Sequence, residues 1–111
     1  MHNNLNSVII EGTVLGITKY DDKCHFTMGI RRHYRKDGEV LCDTVYINVF
    51  VDGKLCEVMS DKLDIDRTVR VVGRLINVQY VGNNCGSVEI YAEHIELKPD
   101  GKEEEDAKEE T

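Results

Sequence analysis

The side chains best suited to catalysis or metal binding, four cysteines and four histidines, are scattered along the chain. The cysteines are Cys24, Cys42, Cys56 and Cys85. They form no C-x-x-C pair, the usual spacing of structural zinc and redox sites. A metal site of His25 with all of these except Cys56 would form only if the fold gathered them, so free thiols packed as small apolar groups are the favoured interpretation.

No group of residues has the spacing of a catalytic site. His25 and His94 have no serine, cysteine or carboxylate partner at a spacing that the sequence can support. The sequence also has no P-loop, G-x-G-x-x-G, H-E-x-x-H or G-x-S-x-G motif. It therefore predicts a protein that is not an enzyme, with no cofactor and no metal.

The densest group of functional side chains is a basic stretch around one tyrosine. It consists of Arg31, Arg32, His33, Tyr34, Arg35 and Lys36. Asp37-Gly38, a strong hairpin signal, follows directly. A solvated hairpin tip is the alternative, but concentrated cations in an acidic chain favour contacts with the phosphates of a nucleic acid. Arg70 and Arg74, on outward positions of a later strand, are further candidates for these contacts.

The chain is acidic overall, but its charge is unevenly distributed. Its 111 residues carry 14 Lys and Arg against 21 Asp and Glu, a net charge of -7. Seven of these acids lie in the final segment DGKEEEDAKEET, which follows the single proline, Pro99. This segment has too little apolar surface to offset the entropy of ordering it. We expect one folded domain over residues 1–98 and an acidic, disordered tail over residues 99–111.

The sequence carries no sign of a membrane or secreted protein. No apolar run approaches the ~18 residues needed to span a bilayer. Met1–Asn6 lacks the basic start and the apolar segment of a signal peptide. A cytoplasmic location is therefore expected.

Alternating apolar residues predict a domain made chiefly of β-strands. The predicted strands are Asn6–Thr18, Cys24–Arg32, Thr44–Val51, Thr68–Tyr80 and Ser87–Leu97. Gly12 and Gly16 would let the first strand bend or bulge, as a small barrel requires. Between Gly53 and Leu63 the apolar spacing becomes helical, with Asp52 placed to cap the helix start.

Three strands, one helix and two strands are the element order of the OB-fold, a mainly β, five-stranded Greek-key barrel with one helix between strands three and four. In the third strand, the odd positions from Val45 to Val51 form an apolar face toward the core. Tyr46, Asn48 and Phe50 point outward. Phe50 would either stack on a base or pack under the hairpin or against another subunit.

Three segments carry a family resemblance. They are Asn6–Gly12 (NSVIIEG), Thr44–Val58 (TVYINVFVDGKLCEV) and Val69–Leu75 (VRVVGRL). In this order they resemble the first strand, the third strand with the helix start, and the fourth strand of bacterial single-stranded DNA-binding proteins. The resemblance extends over roughly Leu5–Lys98. Ala92–Leu97 (AEHIEL) is also similar to primosomal replication protein N, the nearest alternative within the same fold.

The resemblance implies sequence-tolerant binding and protection of single-stranded DNA in replication, recombination or repair. Tyr46 and Tyr80 stand where the family carries base-stacking aromatic side chains, and the basic stretch stands at its flexible binding loop. A base stacked on an aromatic ring contributes ~1–3 kcal/mol whatever the base. The expected DNA-binding residues are Arg31, Arg32, Tyr34, Arg35, Lys36, Tyr46, Asn48, Phe50, Arg70, Arg74 and Tyr80.

Assembly and partners also follow from the resemblance, which implies a homotetramer or a dimer. Val72, Ile76 and Val78 on the fourth strand would be wet in a lone barrel unless the last strand covers them. The tail lacks the apolar tip with which the family docks onto replication and repair proteins, but it could compete with DNA for the basic hairpin. The competing hypothesis is a primosomal-type interaction module with weak or lost nucleic-acid binding, which the absence of tryptophan and the net charge of -7 favour.

Overall fold

Five strands and one short helix form the fold in the computed structural model, which describes residues 2–79 and 86–99. The elements are β1 Val8–Lys19, β2 Lys23–Lys36, β3 Glu39–Asp52, α1 Gly53–Met59, β4 Thr68–Val78 and β5 Ser87–Leu97. The predicted order of elements is confirmed, and the last strand has the predicted bounds. The segment Gly82-Asn-Asn-Cys-Gly86 predicts a turn before the last strand, but all of it except Gly86 lies outside the described residues, including Cys85.

The strands close into a barrel in the order β1-β2-β3-β5-β4, with β4 paired back to β1. All pairs are antiparallel except β3 with β5, which run parallel and pair only at Val49 and Phe50. A closed barrel leaves few strand edges open to pair with other chains. This topology, with α1 between β3 and β4, is the predicted OB-fold.

The core fills the inside of the barrel with apolar side chains from every strand and from the helix. Its buried members include Val14, Phe26, Met28, Val49, Val51, Met59, Val69, Val71, Ile90 and Ile95. Each strand contributes alternate residues, so the period-two pattern of the sequence predicts this core well. Cys24 and Cys56 are also buried, and removal from water raises the pKa of both thiols.

Two irregularities let the strands curve around this core. In β1 the register with β2 shifts between Val14 and Gly16, which leaves Leu15 as the extra residue of a bulge. In β4 the register with β5 shifts between Val72 and Gly73. A Cβ atom on Gly73 would lie 2.0 Å from the Tyr91 carbonyl oxygen, so only glycine fits there. The predicted bend near Gly16 is confirmed.

The helix is shorter than predicted and is not capped as predicted. It ends at Met59, and the chain then turns to bring Leu63 into the core. The helical spacing predicts a buried stripe of Leu55, Val58, Met59 and Leu63, but Val58 is 50% exposed, because the short helix buries Cys56 and Met59 instead. Asp52 occupies the N-cap position but makes no side-chain capping hydrogen bond. In the described part of the chain, no helix is long and apolar enough to cross a membrane.

Strands β2 and β3 are much longer than predicted and extend beyond the barrel. The pairing of β1 with β2 stops at Gly29, whereas β2 and β3 continue to pair as far as Lys36 and Glu39. We call the two-stranded segment 30–45 the ribbon. From Ile30 to Lys36 it extends about 20 Å, at ~3.3 Å per residue. The predicted strand ends at Arg32 and Thr44 were wrong, because the basic stretch is paired strand rather than loop.

Two residues with positive φ close the ribbon. Asp37 has a φ of 53° and Gly38 a φ of 81°, the combination that a two-residue type I′ turn requires. The hairpin predicted at this dipeptide is confirmed. Val45, predicted to face the core, is half exposed, because the ribbon has already left the barrel at that point.

Candidate nucleic-acid interface

Strand alternation divides the ribbon into two faces. The register of β2 with β3 is unbroken, so successive side chains point to opposite sides along the whole ribbon. We call the side that carries Tyr46 the Tyr46 face. Its cross-strand pairs on the ribbon are Arg31 with Thr44, His33 with Cys42, and Arg35 with Val40, and Tyr46 itself lies opposite Gly29.

The other face of the ribbon carries the remaining half of the basic stretch. Its pairs are Arg32 with Asp43, Tyr34 with Leu41, and Lys36 with Glu39. Arg32, Tyr34 and Asp43 line one shallow pocket there, which agrees with their shared side. Two of the three pairs therefore place an acid opposite a cation. Tyr34, predicted to act with Tyr46, points away from it.

The charge of the two faces differs as a result. Within residues 2–79 and 86–99, Arg31, Arg32, Arg35 and Lys36 make no ion pair. On the Tyr46 face no acid stands opposite a cation, so this face is positive, whereas the acids of the other face offset its cations.

Tyr46 stands beside an open pocket of about 350 Å³ at the base of the ribbon. The ring is 67% exposed, and its cross-strand neighbour Gly29 has no side chain to cover it. The other residues that line the pocket are Thr13, Leu15, Gly29, Arg31, Thr44 and Asp66. The lining combines an aromatic side chain, an apolar side chain and charged or polar side chains, which suits a stacked base.

A second aromatic group continues the same outer surface across the barrel. Phe50 lies on the same face of β3 as Tyr46, with Asn48 between the two aromatic residues. The Phe50 ring is half buried and contacts His25 edge-on, with ring centroids 5.6 Å apart. It also contacts Tyr91 of β5 at 6.1 Å. Asn48 accepts a hydrogen bond from the Thr27 hydroxyl at 2.8 Å, which fixes its side chain between the two aromatic positions.

Arg74 joins this surface from β4. Its guanidinium group lies 4.9 Å from the centre of the Tyr91 ring, within the range of a cation–π contact. An arginine held over a ring keeps a flat, charged surface exposed, and such a surface can stack on a base or contact a phosphate. Tyr91 contacts both Arg74 and Phe50 and therefore links them on this surface.

Tyr91 is held in place by Asp52. The Tyr91 hydroxyl donates a hydrogen bond of 2.6 Å to Asp52 Oδ1. This hydrogen bond to the carboxylate, more than burial, raises the pKa of the Tyr91 phenol above its usual value. Asp52 therefore fixes an aromatic ring of the interface, in place of the helix-capping role predicted for it.

His25 is positioned by a buried acid. Glu89 is fully buried, although its strand position points toward the outer surface, and its Oε1 lies 2.8 Å from His25 Nε2. A hydrogen bond of this length holds the imidazole against Phe50. His25 therefore packs in a fixed position against Phe50, one of the candidate stacking residues.

Of the predicted residues that the structure describes, Arg32, Lys36, Arg70 and Tyr34 do not lie on the Tyr46 face. Arg70 binds Glu11 at 3.0 Å and lies 3.6 Å from Glu96, on the wall formed by β1, β4 and β5. Tyr80 lies outside the described residues. Tyr34 lies on the opposite face of the ribbon. The alternating pattern predicts Tyr20 and Tyr91 to be half-buried sheet residues, but Tyr20 is 59% exposed at the turn between β1 and β2.

The interface also contains residues that the sequence did not indicate. Asp66 and Leu15 reach the Tyr46 pocket through a turn and a bulge, for which the sequence carries no clear periodic signal. Tyr91 was predicted to be a half-buried sheet residue, which is correct, but its contact with Phe50 depends on the parallel pairing of β3 with β5. Gly29 is the one feature of the sequence that indicates this pocket, since a glycine opposite an aromatic residue leaves the ring uncovered.

Neither a protein-family model nor a curated protein sequence matches the chain. Solved structures of single-stranded DNA-binding proteins share its fold. A small single-stranded DNA-binding protein from Streptomyces coelicolor has a TM-score of 0.73 at 20% identity, over 87% of this chain and 96% of that one. The Plasmodium falciparum protein in complex with single-stranded DNA has a TM-score of 0.73 at 18% identity, over 89% of this chain and 99% of that one.

A deletion mutant of the Thermus aquaticus single-stranded DNA-binding protein has the same TM-score at 22% identity, over 86% of this chain and 51% of that one. Likenesses at this identity establish the fold. They confirm the OB-fold and agree with the resemblance that the three sequence motifs indicated.

Proposed function

We propose that this chain binds and protects single-stranded DNA with little regard to sequence, in replication, recombination or repair. The observation that carries the proposal is the Tyr46 face. It combines a ring that is 67% exposed with Arg31 and Arg35, two cations without ion-pair partners among the described residues. Bases would stack on the barrel surface while the ribbon follows the phosphate backbone.

The neighbours in fold support the same ligand. The proteins that share the fold are single-stranded DNA-binding proteins, and the Plasmodium falciparum structure contains single-stranded DNA. In this proposal residues 1–98 form the binding domain and residues 99–111 an acidic tail. Asn48, Phe50 and Arg74 extend the path from Tyr46 across β3 and β4. Tyr80 and Arg70 stay predictions from the sequence, and so do the homotetramer and the cytoplasmic location.

Tyr46→Ala and Tyr20→Ala form a matched pair that tests the proposal. Both tyrosines are well exposed, but only Tyr46 lies on the basic face. We expect Tyr46→Ala to weaken binding of a labelled oligo-dT strand by ~1–3 kcal/mol at fixed salt, which is the usual loss of one stacked base. Tyr20→Ala should bind like the parent protein. Fluorescence anisotropy measures the affinity of the parent protein and of both variants, with a duplex of the same length as a control ligand.

The outcomes separate the two candidate functions. Equal affinities for the two variants would remove Tyr46 from the binding site. If the parent protein bound no single strand even at low salt, the primosomal-type interaction module would be the better hypothesis. A binder should also lose affinity steeply as salt rises, because phosphate contacts release counter-ions.

A further inference from the structure

We propose that the Tyr46 pocket prefers a guanine base and that Asp66 makes the selection. The inference rests on the proposed function and adds one position of base preference to otherwise sequence-tolerant binding. The pocket holds about 350 Å³, at the small end of ligand sites, which suits a single base. Gly29, Leu15 and Tyr46 line it together with Asp66 and Arg31.

Asp66 is held at the rim by the barrel backbone. Its N–H donates a 2.7 Å hydrogen bond to the Val14 carbonyl, and the Val14 N–H donates one of 2.9 Å to the Arg67 carbonyl. These two hydrogen bonds attach the turn before β4 to the bulge of β1. Asp66 has a φ of 73°, in the left-handed region, which aspartate and asparagine tolerate better than most side chains. The position of this acid is therefore set by the fold.

The Asp66 carboxylate is free to bind a ligand. Among the described residues it makes no side-chain hydrogen bond and no ion pair, and it is exposed. An acid on a surface that binds a polyanion repels phosphate, so a purely electrostatic interface would not place one here. A carboxylate that reads a base edge accounts for its presence beside Tyr46 and Arg31.

The chemistry of a carboxylate selects guanine. An ionised carboxylate only accepts hydrogen bonds, through two oxygens side by side. The Watson–Crick edge of guanine presents two adjacent donors, N1–H and the N2 amino group, which match these oxygens. Thymine presents one N–H between two carbonyl oxygens that repel the carboxylate, and adenine and cytosine present one amino group each. Arg31, at the same rim, would meet the phosphate of that nucleotide.

Deoxyinosine provides the sharpest probe, because it lacks only the N2 amino group of deoxyguanosine. A short oligo-dT strand with one central deoxyguanosine is compared with the same strand carrying deoxyinosine. We expect the protein to bind the guanine strand about fivefold more tightly, the usual net effect of one hydrogen bond. Asp66→Asn, which keeps the left-handed backbone accessible, should abolish this ratio. Asp64→Asn removes the same charge from a nearby exposed residue outside the pocket and should preserve it.

Three results would overturn the inference. If the parent protein bound the guanine and deoxyinosine strands equally tightly and still bound oligo-dT, the guanine preference would be refuted and the proposed function would stand. A ratio that persists in Asp66→Asn would show that another group reads the base. The absence of binding to any strand would remove both the inference and the proposed function.

Discussion

The division of the ribbon into two faces predicts that its four cations are not equivalent. Arg31 and Arg35 share the Tyr46 face, whereas Arg32 and Lys36 lie on the other side, opposite Asp43 and Glu39. The double variants Arg31→Gln/Arg35→Gln and Arg32→Gln/Lys36→Gln therefore change the net charge equally. Only the first pair should remove direct phosphate contacts, because only its side chains share the face of the ribbon that carries Tyr46.

The size of the effect follows from counter-ion release. For a single strand, the slope of log K against log salt changes by ~0.7 for each phosphate contact, so losing Arg31 and Arg35 should reduce the slope by ~1.4. If the affinities converge near 1 M salt, this corresponds to a loss of about 25-fold at 0.1 M. The Arg32 and Lys36 pair should change the slope by less than half as much, through the general field alone.

Anisotropy titrations of oligo-dT at four or five salt concentrations measure these slopes directly. Circular dichroism of each variant checks that the strands are retained, which is expected because all four side chains are exposed. Equal slopes for the two double variants would refute the reasoning, since the ribbon would then act as a diffuse patch of charge. A larger loss for Arg32 and Lys36 would place the strand on the opposite face, beside Tyr34.

Two further predictions concern the fold that supports the interface. Gly73→Ala should lower the free energy of unfolding by ~1–3 kcal/mol, because its Cβ would collide with a backbone oxygen. Gly16→Ala is the control and should cost less than ~1 kcal/mol, since a Cβ at Gly16 has nothing within 4 Å. Equal losses of unfolding free energy in urea denaturation would contradict this prediction. The raised phenol pKa of Tyr91 means that its hydrogen bond to Asp52 stabilises the fold fully below the usual pKa of 10.0, and that this stabilisation is lost as pH rises through the higher folded-state pKa. Asp52→Asn should lower that pKa in an ultraviolet titration, with Tyr91→Phe identifying the signal, and an unchanged titration would exclude the hydrogen bond as the cause.

The barrel was predictable from the sequence because burial follows strand alternation closely. The inward residues of β2 and β3 near the barrel, such as Phe26 and Val49, repeat every second position, and the type I′ turn signal at Asp37-Gly38 fixed the hairpin. The strand ends were not predictable in the ribbon. Both of its faces are exposed to water, so the polar sequence there carries no alternating pattern, and pairing is maintained by the turn and the backbone ladder alone.

The candidate site was predictable only in part. The outward direction of Tyr46 and Phe50 follows from their position in β3, and the cationic hairpin follows from composition. Arg31 and Arg32 can be assigned to opposite faces from the alternation of side chains, once the strand is known to continue past residue 32. Contacts that join distant segments could not be found this way: the Tyr91 contact depends on a parallel pairing, and Asp66 enters the Tyr46 pocket through a turn clipped to a bulge.

Among the described residues, the ribbon separates its cations from most of the acids, so the acidic charge of the barrel is a weak argument against binding a polyanion. Glu11 and Glu96 already pair with Arg70 on the wall formed by β1, β4 and β5. The ribbon extends about 20 Å beyond the barrel, while charges in 0.1 M salt are screened over about 10 Å. A phosphate near Arg35 therefore responds mainly to the ribbon itself. The ribbon carries three acids: Asp37 lies at its turn, and alternation turns Asp43 and Glu39 away from the face that carries Tyr46.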